Sequence, residues 1–411
     1  MNDKIYILLK ISVFNLLIVS LLGILMRYKI AFYLPLFEQK HIQEGHSHFA
    51  FYAWVTHVIY TLIYFINKDY IFARKNQYFY SIIVNLISSY GMLFSFIYGG
   101  YFALSILFSS ISLLSSFYYL YLIITDYNKI KSLSKIWFLG GLFFAVFSSI
   151  GVMGLSYIKI THTISQNLYL ASTFFYLHFQ YNGFFIISCF GFLISILEKS
   201  EIFINKTHNK LIFWLMFFSC FFGYGLSILW LELPFWIYGI ISLSSLVQII
   251  VALALFIFVK KKWKILKFDL TRLEKFVLFY VAIAYFTKIL LQFFSIIPAV
   301  SQFAFGFRNI VIAYLHLVLL MCISTFLIFV MIRLKIFRLT NKFYFGIKLF
   351  LIATFLNEIV LGINGILSIG YASIPQSNLI LFSISILLAV SILSMYIGVK
   401  KKVFSFKRKI L

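Results

Sequence analysis

Four of the chain's eight histidines fall in one seventeen-residue stretch, HIQEGHSHFAFYAWVTH at positions 41–57, where a long apolar run begins. A neutral imidazole offers a lone pair to iron, copper or zinc, and it exchanges a proton near neutral pH. Interfacial anchoring of a membrane segment is the plainer reading of such a cluster. Deciding between them requires the other ionisable groups and the elements that carry them.

Those elements are apolar. Of 411 residues 63% are hydrophobic and only 11% charged, with a mean hydropathy of +1.01, which leaves too little polar surface for a globular protein. Runs long enough to cross a ~30 Å hydrocarbon core recur near 5–26, 47–66, 78–98, 102–124, 136–156, 168–197, 211–230, 235–258, 276–295, 309–332, 343–366 and 379–399. The expectation is one all-α, polytopic membrane domain over residues 1–411, with about 12 transmembrane helices. The longest interruptions are about 28–46 and 259–275.

Thirty-five Lys and Arg against eleven Asp and Glu give a net charge of +24. The basic residues cluster in KKKWKILK (260–267), RLKIFR (333–338) and KKVFSFKRK (401–409), and after the second, fourth and sixth runs. This placement predicts orientation in a bacterial inner membrane with both termini cytoplasmic, and lipid rather than nucleic acid as the partner. The first run passes through SLLGILM (20–26) into Arg27 with no small-residue cleavage site, so a retained helix is expected. Cys189, Cys220 and Cys322 sit in separate apolar runs without CxxC spacing, which argues against a disulfide framework or a thiolate zinc site.

Five histidines lie at membrane depth: His46, His48, His57, His178 and His316. Ionisable groups in hydrocarbon are functional hypotheses by default. Counted from the cytoplasmic ends of their helices at 1.5 Å per residue, His48, His178 and His316 stand at roughly 28, 30 and 25 Å. Three helices thus place an imidazole in one layer, with His46 just above it and His57 well below. Histidines on facing helices of a bundle core can hold a metal or haem iron, given a partner for each second ring nitrogen. For His178, Asn182 shares its helical face and Tyr181 lies beside it. The simpler alternative is that each imidazole only hydrogen-bonds across helices. Lys288 and Glu358 lie mid-helix in the ninth and eleventh runs, where mutual pairing would offset their burial. They could form a proton path or a structural pair.

Twelve helices, a histidine opening the second and another in the tenth resemble the catalytic subunit I of the haem–copper oxidases. EGHSHFAFYAW (44–54) resembles the second-helix segment of the nitric oxide reductase branch, and AYLHLVLLM (313–321) is similar to the tenth-helix pattern. A second group fits comparably: twelve-helix haem–copper proteins linked to NO stress, whose second helix opens with histidine-x-histidine. The resemblance implies a low-spin haem b between His46 or His48 and His316, in a redox protein that transfers electrons or handles O2 or NO beside respiratory-chain subunits. His178 falls where the family has a copper ligand. The departures are as informative. Tyr314 replaces the histidine that holds the catalytic haem, Asn182 replaces a tyrosine with Tyr181 adjacent, and 211–230 contains no histidine for a copper pair. A degenerate oxidase or NO reductase is implied, with His178 either holding a second metal such as copper or marking the remnant of that site. The family's proton-uptake lysine lies two helices before the tenth-helix histidine and Lys288 only one, so that role is not carried over. The rival expectation is a haem-free transporter or channel using membrane His, Lys and Glu for proton coupling. A further one is a non-catalytic respiratory assembly partner.

Overall fold

The computed structural model describes residues 2–402, so most of the basic run at 401–409 lies outside the described residues. Twelve helices are long and apolar enough to cross a membrane: α1 (Asp3–Ala31), α2 (Gln39–Ile66), α3 (Phe72–Gly99), α4 (Ala103–Asp126), α5 (Lys135–Thr161), α6 (Gln166–Lys199), α7 (Lys206–Ile228), α8 (Phe235–Lys267), α9 (Arg272–Phe294), α10 (Arg308–Arg333), α11 (Asn341–Ile369) and α12 (Ser377–Gly398). The shortest has 22 residues, about 33 Å of helix. The protein is therefore an all-α, multi-pass bundle of membrane-protein type. Two short strands, β1 (Phe337–Leu339) and β2 (Val399–Lys401), pair antiparallel beyond the helix ends.

Two boundaries differ from expectation. The segment 39–46 is not loop but the first turns of α2, because Ile42, Gly45 and Phe49 recur at helical spacing and bury one stripe. Likewise α8 continues through the lysines of KKKWKILK, so these are helix-borne, mostly exposed charges rather than loop.

Position in the bundle follows from burial. The apolar stretches of α2 and α6 are 83% buried and that of α10 is 72%, against 28% for α8. The three helices that carry a histidine at membrane depth are thus the central ones. Close approach elsewhere needs missing side chains: a Cβ on Gly346 of α11 would sit 2.6 Å from the Ser391 carbonyl of α12. Lys401 Nζ meets Asp3 Oδ2 at 2.9 Å, which brings the two ends of the described chain to one face. At that face the buried Asp126 carboxylate joins α3 to α4, accepting from Arg74 (2.9 Å), Lys129 (2.7 Å) and the Tyr78 hydroxyl (3.3 Å).

All three central helices loosen into π-helical turns, at Ala50–Thr56, Phe179–Phe185 and Leu317–Ser324. Each begins within two residues of a histidine. A π-turn shifts the helical register and disturbs the ordinary i→i−4 pairing, so in an apolar core other donors must serve the displaced carbonyls. The sequence supplies them. Asn15 donates to the Ala53 carbonyl (2.7 Å) and Asn85 to that of Tyr52 (3.0 Å). In α10 the hydroxyls of Ser324 and Thr325 reach back five residues, to the carbonyls of Leu319 (2.7 Å) and Leu320 (3.1 Å).

Candidate functional site

The π-turns of α2 and α10 meet. Trp54 Nε1 donates to Ser324 Oγ at 2.8 Å, with both residues buried. Even-numbered helices run in the same direction, so α2 and α10 are parallel. Trp54 lies eight residues after His46, and Ser324 eight after His316. Equal offsets in sequence from one contact bring His46 and His316 to a similar level. His48 does not share that offset.

Proton accounting separates the histidines further. A carbonyl only accepts, so a ring nitrogen bonded to one must carry the proton, and the other nitrogen holds the lone pair. His46 Nδ1 donates to the Val19 carbonyl of α1 (3.1 Å), and His316 Nδ1 to that of Ile312 (2.8 Å). Neither Nε2 has a hydrogen-bond partner among the described residues. Each imidazole is locked in the Nδ1–H tautomer with its Nε2 lone pair unused. The two rings are electrostatic neighbours, and Arg27 of α1 acts on both.

His48 is different. Its Nδ1 donates to the Glu44 carbonyl (2.9 Å), its Nε2 accepts from the Tyr101 hydroxyl (3.3 Å), and its ring stacks on Phe96 with centroids 4.3 Å apart. Two residues of helix turn the ring by roughly 200°, towards α3 instead of α10. The two histidines left in competition by the sequence therefore divide their roles. His57 donates from Nε2 to the Leu8 carbonyl (3.3 Å), deep between α1 and α2, and its Nδ1 has no partner among the described residues. His41 pairs with Glu38 (3.1 Å) at the end of α2.

His178 has no lone pair to spare. Its Nε2 donates to the Cys220 carbonyl (2.9 Å) and its Nδ1 accepts from Asn182 Nδ2 (3.1 Å). Asn182 does share the face of His178, as a donor and not the expected acceptor. Tyr181 packs edge-on against Tyr314, with centroids 6.3 Å apart, and the buried Tyr314 hydroxyl, with Asn182 as its neighbour, makes no well-formed hydrogen bond among the described residues. Cys220 Sγ lies 3.9 Å from His178 Nε2. Among the described residues no three His, Cys, Asp or Glu side chains gather as metal ligands. This donor set does not fit a copper at His178.

The expected Lys288–Glu358 pair is not formed. Glu358 accepts from Asn357 Nδ2 (3.2 Å) on a half-exposed face of α11, while Lys288 lines a cavity with residues of α6, α7 and α8. Similar depth on two helices did not make them neighbours, because α9 turns Lys288 to a different side.

Sequence reading missed Arg27, Cys220, Trp54 and Ser324. Arg27 appeared only as the end of an apolar run, although an arginine there was itself a signal. No signal in the sequence marks the Trp54–Ser324 contact. No protein-family model matches the chain, and no curated protein matches it either.

Proposed function

We propose that the protein is a haem-binding integral membrane protein of redox function, in which His46 and His316 would hold the iron of a low-spin haem b. The observation that carries this reading is the pair of unused Nε2 lone pairs at one level on adjacent parallel helices. Each ring is oriented by a carbonyl on its far nitrogen, which also raises its basicity as a ligand. Haem, when bound, would supply one-electron chemistry, and the apolar bundle a dry setting that tunes its potential. Arg27, beside both histidines, and Arg308 next to it offer positive charge to the propionate carboxylates. The resemblance to haem–copper oxidase subunit I supports the same pair, with His46 chosen over His48. It also supports electron transfer or handling of O2 or NO next to respiratory-chain subunits, in a bacterial inner membrane with the termini inside. The binuclear chemistry of that family is no part of this reading, since the residues at His178 do not fit a copper.

The test is the absorption spectrum of protein purified from haem-supplied cells. A Soret band with sharp reduced α and β bands is expected. His46→Ala and His316→Ala abolish that low-spin signature, while His48→Ala keeps it. A colourless wild type, or loss in His48→Ala with retention in His46→Ala, overturns the assignment.

A further inference from the structure

Lys288 is only 3% exposed, six residues from the end of α9, in an apolar bundle. Among the described residues it makes no ion pair and no hydrogen bond; the Tyr285 ring, with its centroid 5.9 Å from Nζ, is its cation–π neighbour. An ammonium stripped of water without a counter-charge is among the least favourable arrangements a protein can hold. The partner expected from sequence, Glu358, faces elsewhere.

The ammonium borders a cavity of ≈ 20 Å³, enough for one water-sized occupant. Its polar lining is Asn182, Ser219, Cys220, Gln248, Tyr285 and Lys288, drawn from α6, α7, α8 and α9. Hydrogen-bond donors dominate this set. Lys288 brings three, Tyr285 a hydroxyl with no partner among the described residues, Cys220 a thiol and Gln248 an amide. Gln248 is held in place by donating to the Ser219 carbonyl (3.2 Å). Asn182 Oδ1, buried beside the Tyr314 hydroxyl and without a well-formed hydrogen bond among the described residues, is an acceptor suited to the ammonium itself.

We propose that this cavity binds one small inorganic anion, with Lys288 as the counter-charge and the Tyr285 hydroxyl as a second donor. A water molecule would accept from two of the donors at most and leave the charge uncompensated. Room for one water-sized occupant suits a monatomic anion such as chloride better than sulfate or organic acids. The site is independent of the haem reading, because none of its residues is a proposed axial ligand.

The experiment is thermal unfolding of the purified full chain in a neutral detergent at constant ionic strength, replacing gluconate by chloride. A saturable rise of the midpoint is expected with chloride and none with sulfate. Lys288→Met removes the rise or moves it to at least tenfold higher concentration, and Tyr285→Phe weakens it severalfold. Should Lys288→Met fail to fold, Lys288→Gln, which keeps a donor without the charge, carries the same expectation. His316→Ala, stripped of a proposed haem ligand, must retain the full response, which separates this site from anion binding to haem iron. Equal midpoints in gluconate and chloride, a response unchanged without the Lys288 charge, or a response lost in His316→Ala each overturn the proposal.

Discussion

Trp54 and Ser324 offer the sharpest test of how the central helices are held in register. Their 2.8 Å hydrogen bond joins the π-turns of α2 and α10. Ser324→Ala leaves the buried indole N–H without an acceptor, an expected loss of about 1–3 kcal/mol. Trp54→Phe removes the donor and some buried volume, costing about 2–3 kcal/mol through the vacated space. The pairwise part is smaller. Side-chain hydrogen bonds within membranes average about 0.6 kcal/mol, with a ceiling near 1.7, and this one lies between two buried groups, so a coupling of about 1 kcal/mol is expected. The assay is a double-mutant cycle over wild type, both single variants and the double variant, unfolded reversibly in mixed micelles. A coupling below about 0.3 kcal/mol is indistinguishable from additivity and refutes the bond as a tie between helices. If haem is bound, both single variants should also shift its α band. A merely destabilised bundle would lose haem without moving the band of what remains.

Two further outcomes follow from packing and charge. Gly346→Ala forces a Cβ to within 2.6 Å of the Ser391 carbonyl and 2.7 Å of the Met395 nitrogen, so unfolding measurements should show a loss of about 1–3 kcal/mol from overpacking; the wild-type midpoint would argue that α11 and α12 part easily. Asp126→Asn leaves Arg74 and Lys129 without their shared carboxylate, whose side chain is 1% exposed. Since Arg74 is partly solvated, the loss should fall at or below the lower end of the range for broken buried pairs, about 1–3 kcal/mol, and proteolysis of the α3–α4 hairpin end should accelerate.

The twelve helices were legible because a crossing needs some twenty apolar residues and leaves that signature in composition alone. The start of α2 was not, since QKHIQEGH is polar in composition and only the spacing of Ile42, Gly45 and Phe49 betrays its buried stripe. Depth along a helix could be counted from sequence, and it put histidines on the three most buried helices, although the layer it drew held His48 where the structure levels His46 with His316. Azimuth could not. It decided that His46 rather than His48 turns towards α10, that His178 spends both nitrogens on Cys220 and Asn182, and that Lys288 and Glu358 never meet. The π-turns make this worse for a reader of sequence, because each advances the face of everything beyond it by a fraction of a turn.

One electrostatic pattern links the candidate sites. Arg27, Arg308 and Lys288 all lie towards the ends of their helices opposite the face that joins Asp3 to Lys401. None forms a salt bridge among the described residues; Arg308 reaches only the Gln43 side-chain oxygen, at 2.9 Å. Arg27 and Lys288, cations partly or wholly withdrawn from water without a counter-charge, raise the free energy of the empty fold, and any anionic occupant lowers it in proportion to its preference for the folded state. Propionate carboxylates at the arginines and a small anion at the lysine would do this at two separate places. Their effects on stability should then be additive, because Arg27 and Lys288 have no partner in common and distant sites couple weakly. A chain loaded with haem should therefore show the same anion-dependent rise in its unfolding midpoint as the haem-free His316→Ala variant, displaced to higher temperature. Competition between the two, with anion stabilisation vanishing on haem loading, would place both anions at one site and break the distinction drawn between the His46–His316 pair and the Lys288 cavity.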